Sequence, residues 1–357
     1  MDAGRGLAIV LVVLVHARDW LDAAGLHTHA WAVVNAVLAG LRMPLFFAMS
    51  GLLGAKWLTA HWPTVLSRKV AFLVWVYLLW QPIGSLTTLL AVRITGAHLT
   101  PVRMAVSLAL TPVRPRYELW FLWAPAIFFV LARLTARIPV RVQLLVAGAG
   151  SAVALSGLVP NSANPGWAGV PTYYVFFLIG CHYAVLIRLL ADRSRRSPWF
   201  AVGLIGIWAA VATTVFATRT EHLIGPGLAI RLLGLAAGVA LAVLLGGVRL
   251  LRHLGARTLP IYLAHNPIII ALVWIVQRGR GSGWVTTLTP ALPLLFTVLA
   301  VPMTLALYAA LTRTTARVLY APPPAVTALV ARVSAVIVPR PPGRHRAHPA
   351  HPALLMP

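Results

Sequence analysis

About ten stretches of this chain run for roughly 20 residues each with almost no charged side chain, which is the length a helix needs to cross the hydrocarbon core of a bilayer. A backbone inside lipid must satisfy its own hydrogen bonds, so only helices or closed barrels can span. The alternating pattern of barrel strands is absent, and the expected fold is all-α: a polytopic transmembrane helical bundle of about ten helices. Composition agrees, with 60% hydrophobic and 10% charged residues against about a half and a quarter in soluble domains.

The expected helices cover 5–23, 31–58, 68–92, 117–136, 141–159, 170–190, 199–218, 227–248, 258–277 and 286–312. Pro44 and Gly51 are expected to bend or break the second. "TPVRMAVSLALT", residues 100–111, is too short to span and is placed at the interface. The first segment is not read as a cleaved signal peptide, because His16 ends its apolar run and nine further apolar segments follow.

The net charge of +24 invites a nucleic-acid reading, but no nucleic-acid partner is expected. The basic residues sit in short loops between apolar runs, and their distribution orients the chain. One side collects 20 Lys and Arg and the other 8, so both termini are expected in the cytoplasm of a multi-pass plasma-membrane protein. The 93–116 segment faces outward in this topology despite its four arginines. Cys181 is the single cysteine, which excludes an intrachain disulfide, a cysteine-based zinc cluster and CxxC redox chemistry.

Two regions are expected: a membrane-embedded unit over 1–320 and a cytoplasmic tail over 321–357. The tail opens on a proline break at 322–324, continues as an apolar stretch suited to the membrane surface, and ends in a Pro/Arg/His-rich run expected to be disordered. Its histidines have no frame to fix a geometry, and no metal site is expected.

Charged groups inside a bilayer are costly and usually functional. Arg5 and His16 stand 11 residues apart, about three helical turns plus roughly 20°, so they share one face with about 16 Å between them. Either they are a snorkelling arginine and a packing histidine, or they belong to one site. Asp19, three residues beyond His16, could orient the imidazole or be solvated. Arg42 precedes Pro44 in "LRMPLFFAMSGLLGAKW". Glu118 stands among Tyr117, Trp120 and Trp123, and either pairs with Arg114 or Arg116 or faces a site. His265, before Asn266 and Pro267, either packs between helices or lines a cavity at an unwound turn.

Together these stretches resemble the acyltransferase-3 family of integral membrane O-acyltransferases. Arg5 and His16 match the family's arginine, ten-residue spacer and histidine. "MPLFFAMSGLL" resembles its Pro-Leu-Phe-Phe and Ser-Gly segment, "LWFLWAPAIFF" its Leu-Trp-Phe-Leu helix, and "IYLAHNPII" its Ile-Tyr-Leu-x-His-x-Pro segment. Glu118 stands where relatives often carry histidine.

The resemblance implies transfer of an acyl group, usually acetyl, from acyl-CoA to a hydroxyl of a carbohydrate or secondary-metabolite acceptor. It implies no permanently bound cofactor, with acetyl-CoA or another acyl-CoA as co-substrate. His16 would be general base or acyl carrier, with Glu118 as the second catalytic group. Arg5 and Arg42 would bind the donor, and Tyr117, Trp120 and His265 the acceptor. A neutral imidazole, with an ordinary pKa of about 6.5, is suited to take the hydroxyl proton at neutral pH. A transporter or flippase for a sugar or lipid-linked substrate would also carry intramembrane charges, but such proteins often show two similar halves, which this sequence lacks.

The topology has a direct test. In a variant lacking Cys181, a cysteine placed at Thr100 should react with an impermeant thiol reagent added to intact cells, and one placed at Arg195 should not. The reverse labelling pattern inverts the assignment.

Overall fold

The computed structural model describes residues 1–96, 100–158 and 164–337, and every regular element among them is helical. The helices are α1 (Asp2–Ala23), α2 (His29–Gly54), α3 (Trp62–Thr95), α4 (Pro101–Ala109), α5 (Trp120–Leu134), α6 (Val140–Leu155) and α7 (Pro165–His182). They continue as α8 (Ala184–Arg196), α9 (Pro198–Ala217), α10 (Pro226–Leu244), α11 (Arg249–Ala256), α12 (Thr258–Val276), α13 (Gly283–Leu311) and α14 (Pro324–Ile337).

Seven helical segments among the described residues are long and apolar enough to cross a membrane: those of α2, α3, α9, α10, α12, α13 and Thr315–Ile337, which contains α14. The bent pair α7–α8 makes an eighth if counted as one span. The chain is thus a polytopic helical bundle. Helix α1 is apolar between Arg5 and His16 but carries Asp2, Arg5, Arg18, Asp19 and Asp22 towards its ends, while α5 and α6 are short.

Several local expectations need correction. Helix α2 runs unbroken through Pro44, and α12 through Pro267. A proline removes one hydrogen bond, but packed neighbours hold such a helix together in a membrane. The expected 170–190 helix instead breaks at Tyr183 with an 82° bend. Beyond the bend, α8 carries Arg188, Arg193, Arg195 and Arg196, a charge load that suits a surface helix better than a spanning one. Helix α11, "RLLRHLGA", is amphipathic and too short to span. Helix α14 packs on the start of α3 and buries only Ser334. The disorder and the histidines expected at 339–357 lie outside the described residues.

Glycine sets the closest helix approaches. A Cβ at Gly51 would run into the Phe177 carbonyl, and one at Gly180 into that of Ala48, so α2 and α7 touch backbone to backbone. Likewise a Cβ at Gly6 would meet the Leu251 carbonyl and one at Gly255 the Asp2 carbonyl, which draws α11 onto the first turn of α1. Small residues at helix crossings are the usual route to such contacts in membranes.

These contacts predict a contrast. Alanine at Gly51 or Gly180 should destabilise the protein by about 1–3 kcal/mol, because rigid backbone must move. Alanine at Gly203, which faces open space in α9, should be neutral or stabilising. Thermal unfolding of the purified variants in one detergent measures both, and equal stability of all three variants would remove the close-approach argument.

Candidate active site

Helices α1 and α12 pack with the same chain direction, joined by three contacts that follow one another along both. At the N-terminal end, the Arg5 guanidinium donates to the Thr258 hydroxyl at 3.0 Å. At mid-helix, the His16 and His265 rings stand 5.1 Å apart between centroids. Beyond them, the Trp20 indole N–H donates to Asn266 Oδ1 at 2.6 Å. The face shared by Arg5 and His16 is therefore the face of α1 that meets α12.

The two histidines differ in freedom. His265 is fully buried, and its Nδ1 lies 2.7 Å from the Tyr262 carbonyl and 3.2 Å from that of Ile261. A carbonyl only accepts, so Nδ1 carries a proton. Nε2 is then the open nitrogen, and it is buried without a hydrogen-bond partner. His16 is not tied to a backbone carbonyl among the described residues and keeps some accessible surface. The field of Arg42 reaches it. Arg42 itself makes only long contacts, 3.4 and 3.5 Å, to the Asn35 carbonyl and side-chain oxygen of its own helix. No carboxylate pairs with it among the described residues. The field of the Asp19 carboxylate reaches Arg42 in turn.

Glu118 is 8% exposed and accepts from Asn266 Nδ2 at 2.7 Å. Because the Trp20 indole can only donate, the Asn266 amide is oriented without ambiguity, oxygen toward Trp20 and nitrogen toward Glu118. The Tyr262 hydroxyl donates to the Glu118 backbone carbonyl. Neither Arg114 nor Arg116 pairs with this carboxylate. Asp19 is bonded to Arg18 at 2.9 Å rather than to His16, and Asp22 also holds Arg18, at 2.5 Å.

The other singled-out residues separate. Trp120 lies in an aromatic cluster, 6.1 Å from Tyr173 and 6.2 Å from Phe47. Tyr117 lies at the end of the bundle opposite the N-terminus, accepting from the Thr88 hydroxyl at 2.9 Å. Around Arg5 the structure adds a residue that sequence reading counted only as a loop charge: Lys69, which feels the fields of Arg5 and Lys56 and lies 5.0 Å above the Phe129 ring. It sits in a π-helical turn, Leu66–Val70, a distortion often found at functional sites. Nothing in its linear surroundings separates it from other loop cations.

Two histidines, an arginine without a direct carboxylate contact and a hydrogen-bonded carboxyl stand among apolar helices, where polar groups are costly and usually functional. Residues 1–313 match the family described as an acyltransferase domain. The chain belongs to that family, acyltransferase-3, and is a multi-pass membrane acyltransferase. No curated protein and no solved structure matches it.

The Asn266 bridge carries a stability prediction. Asn266→Ala leaves both the Glu118 carboxyl and the Trp20 N–H buried without their partner, at a cost of about 1–3 kcal/mol. Trp20→Phe combined with Asn266→Ala should be less than additive, since both remove one bond. Additive losses of melting stability would show that the bridge is not formed.

Proposed function

We propose that the protein is an O-acyltransferase of the plasma membrane that takes an acyl group, usually acetyl, from acyl-CoA arriving at the cytoplasmic, N-terminal end of α1. The acceptor is a hydroxyl of a carbohydrate or secondary metabolite that reaches His16 from the other side. The observation that carries this reading is the single line along the α1–α12 seam, with Arg5 at one end and the His16–His265 pair about 16 Å further on.

Each residue has a task suited to its setting. Arg5, with Lys69 and Lys56 nearby, supplies the charge that donor phosphates need, and a guanidinium adds bidentate geometry. The pantetheine arm lies along the seam and brings the thioester to His16. His16 takes the proton of the acceptor hydroxyl as the oxygen attacks the thioester carbon. The tetrahedral intermediate collapses with cleavage of the carbon–sulfur bond, and the imidazolium returns its proton to the leaving thiolate. Arg42 serves the donor at its carbonyl, where negative charge develops, because its field reaches His16 and no carboxylate is in direct contact with it among the described residues. Glu118, held by Asn266, supports the acceptor side, and Trp120 and His265 line it.

The test has two parts. Mass spectrometry of envelopes and metabolites from cells with and without the gene should reveal one lost acyl mass, which identifies the acceptor. With that acceptor, purified protein in nanodiscs should lose about 100- to 10,000-fold in turnover on His16→Ala or His16→Gln. Arg5→Lys should raise KM for acyl-CoA more than it lowers kcat. Wild-type rates in both His16 variants remove His16 from the chemistry, and a trapped acyl-enzyme in the wild type makes it a carrier instead of a base.

A further inference from the structure

The loop that leads into Glu118 is built more rigidly than a connector needs. Four side chains from three other helices and α7's N-cap grip its carbonyls: Tyr77 holds Thr111 at 2.5 Å, Trp123 holds Pro112 at 3.0 Å, Trp167 holds Val113 at 2.7 Å and Asn164 holds Pro115 at 2.8 Å. Tyr117 follows in the left-handed region, φ 55°, which a non-glycine residue adopts only when its surroundings impose it. Its ring is wedged against Gly84, where a Cβ would press on it.

This clamped loop walls a cavity of about 360 Å³ with Ser107, Leu110, Arg114, Arg116, Tyr117 and Asn164 among its lining residues. That volume is in the range of small-molecule sites, about 300–1,000 Å³. Neither arginine has a carboxylate partner among the described residues, and Arg116 is held 5.3 Å above the Tyr117 ring. Both also stand on the side where the charge bias disfavours arginine. Two unpaired guanidinium groups on a fixed wall, with a serine hydroxyl beside them, suit a phosphate or carboxylate attached to a polyhydroxy compound.

We propose that the cavity at Arg114, Arg116 and Tyr117 is the docking site for an anionic group, phosphate or carboxylate, on the sugar acceptor. This deepens the acyltransferase reading and rests on it for the word acceptor. The site holds the charged end of the sugar while a hydroxyl passes inward beside Glu118, the next residue after Tyr117. The arginines bind and orient, and take no part in the chemistry.

The experiment is calorimetric titration of the full-length protein in phosphatidylcholine nanodiscs. The probes are glucuronic acid and glucose 6-phosphate, with glucose as the neutral control. The anionic sugars should bind at least about 10-fold more tightly than glucose, and Arg114→Gln with Arg116→Gln should abolish that difference. Arg93→Gln with Arg103→Gln, on the same side of the bundle, should preserve it. The exposed setting of Arg114 makes a folding defect easy to exclude by melting temperature, and Arg114→Lys with Arg116→Lys should restore part of the affinity. Equal binding of glucose and the anionic sugars, no binding of any probe, or wild-type binding by the glutamine variant each overturns the proposal. So does phosphatidylglycerol in the nanodiscs displacing the sugars while inorganic phosphate binds as tightly as glucose 6-phosphate, which identifies a lipid-headgroup site. None of these readings involves turnover, so loss of the transferase assignment and loss of the anion site are separately visible.

Discussion

The pairing of α1 with α12 is the interaction on which the site depends. A polar residue at membrane depth is costly and usually meets another polar residue, and these two helices meet at three levels: Arg5 with Thr258, His16 beside His265, and Trp20 with Asn266. Displacing either helix along its axis by one turn would separate all three. The polar contacts and the packing of the two helices therefore depend on one relative placement. The bond from Asn266 to Glu118 extends that placement to the segment leading into α5.

What fixes that placement lies largely outside the polar groups. The mutual approach of Gly6 and Gly255 seats α11 on the first turn of α1, and α12 begins two residues after α11 ends. Thr258 is thus delivered to Arg5 by a contact that contains no functional group. The tight α2–α7 crossing at Gly51 and Gly180 does the same for the opposite wall, fixing the helix that carries Arg42 and that continues through Pro44. In lipid the hydrophobic effect gives little preference for one helix arrangement over another, so close backbone contact and a few polar bonds carry the specificity.

The spacing of Arg5 and His16 was readable because helical periodicity is a property of one segment, and α1 proved continuous. Glu118, Asn266 and His265 were readable as polar exceptions in apolar runs, but their partners were not: those contacts join residues 246 and 148 positions apart, which no local pattern encodes. The breaks were misplaced for a related reason. Pro44 and Pro267 are strong local signals that tertiary packing overrides, whereas the 82° turn at Tyr183 has no proline and arises where an apolar helix meets an arginine-rich one. Lys69 was invisible because a basic residue at the foot of a span is the ordinary case, and only its convergence with Arg5 and Lys56 sets it apart.

The similarity to the family stops at residue 313, yet the hydrogen bonds do not. The indoles of Trp75 and Trp80, both on α3, donate to the carbonyls of Val318 and Leu319 at 2.8 and 2.9 Å, and α14 then lies along the foot of the same helix, where Lys69 sits. A boundary drawn by resemblance would cut between two donors and their acceptors, leaving indole N–H groups facing lipid. For this chain the smallest self-sufficient unit is wider than its recognisable one, and the segment beyond the shared core is mechanically part of the wall beside Lys69.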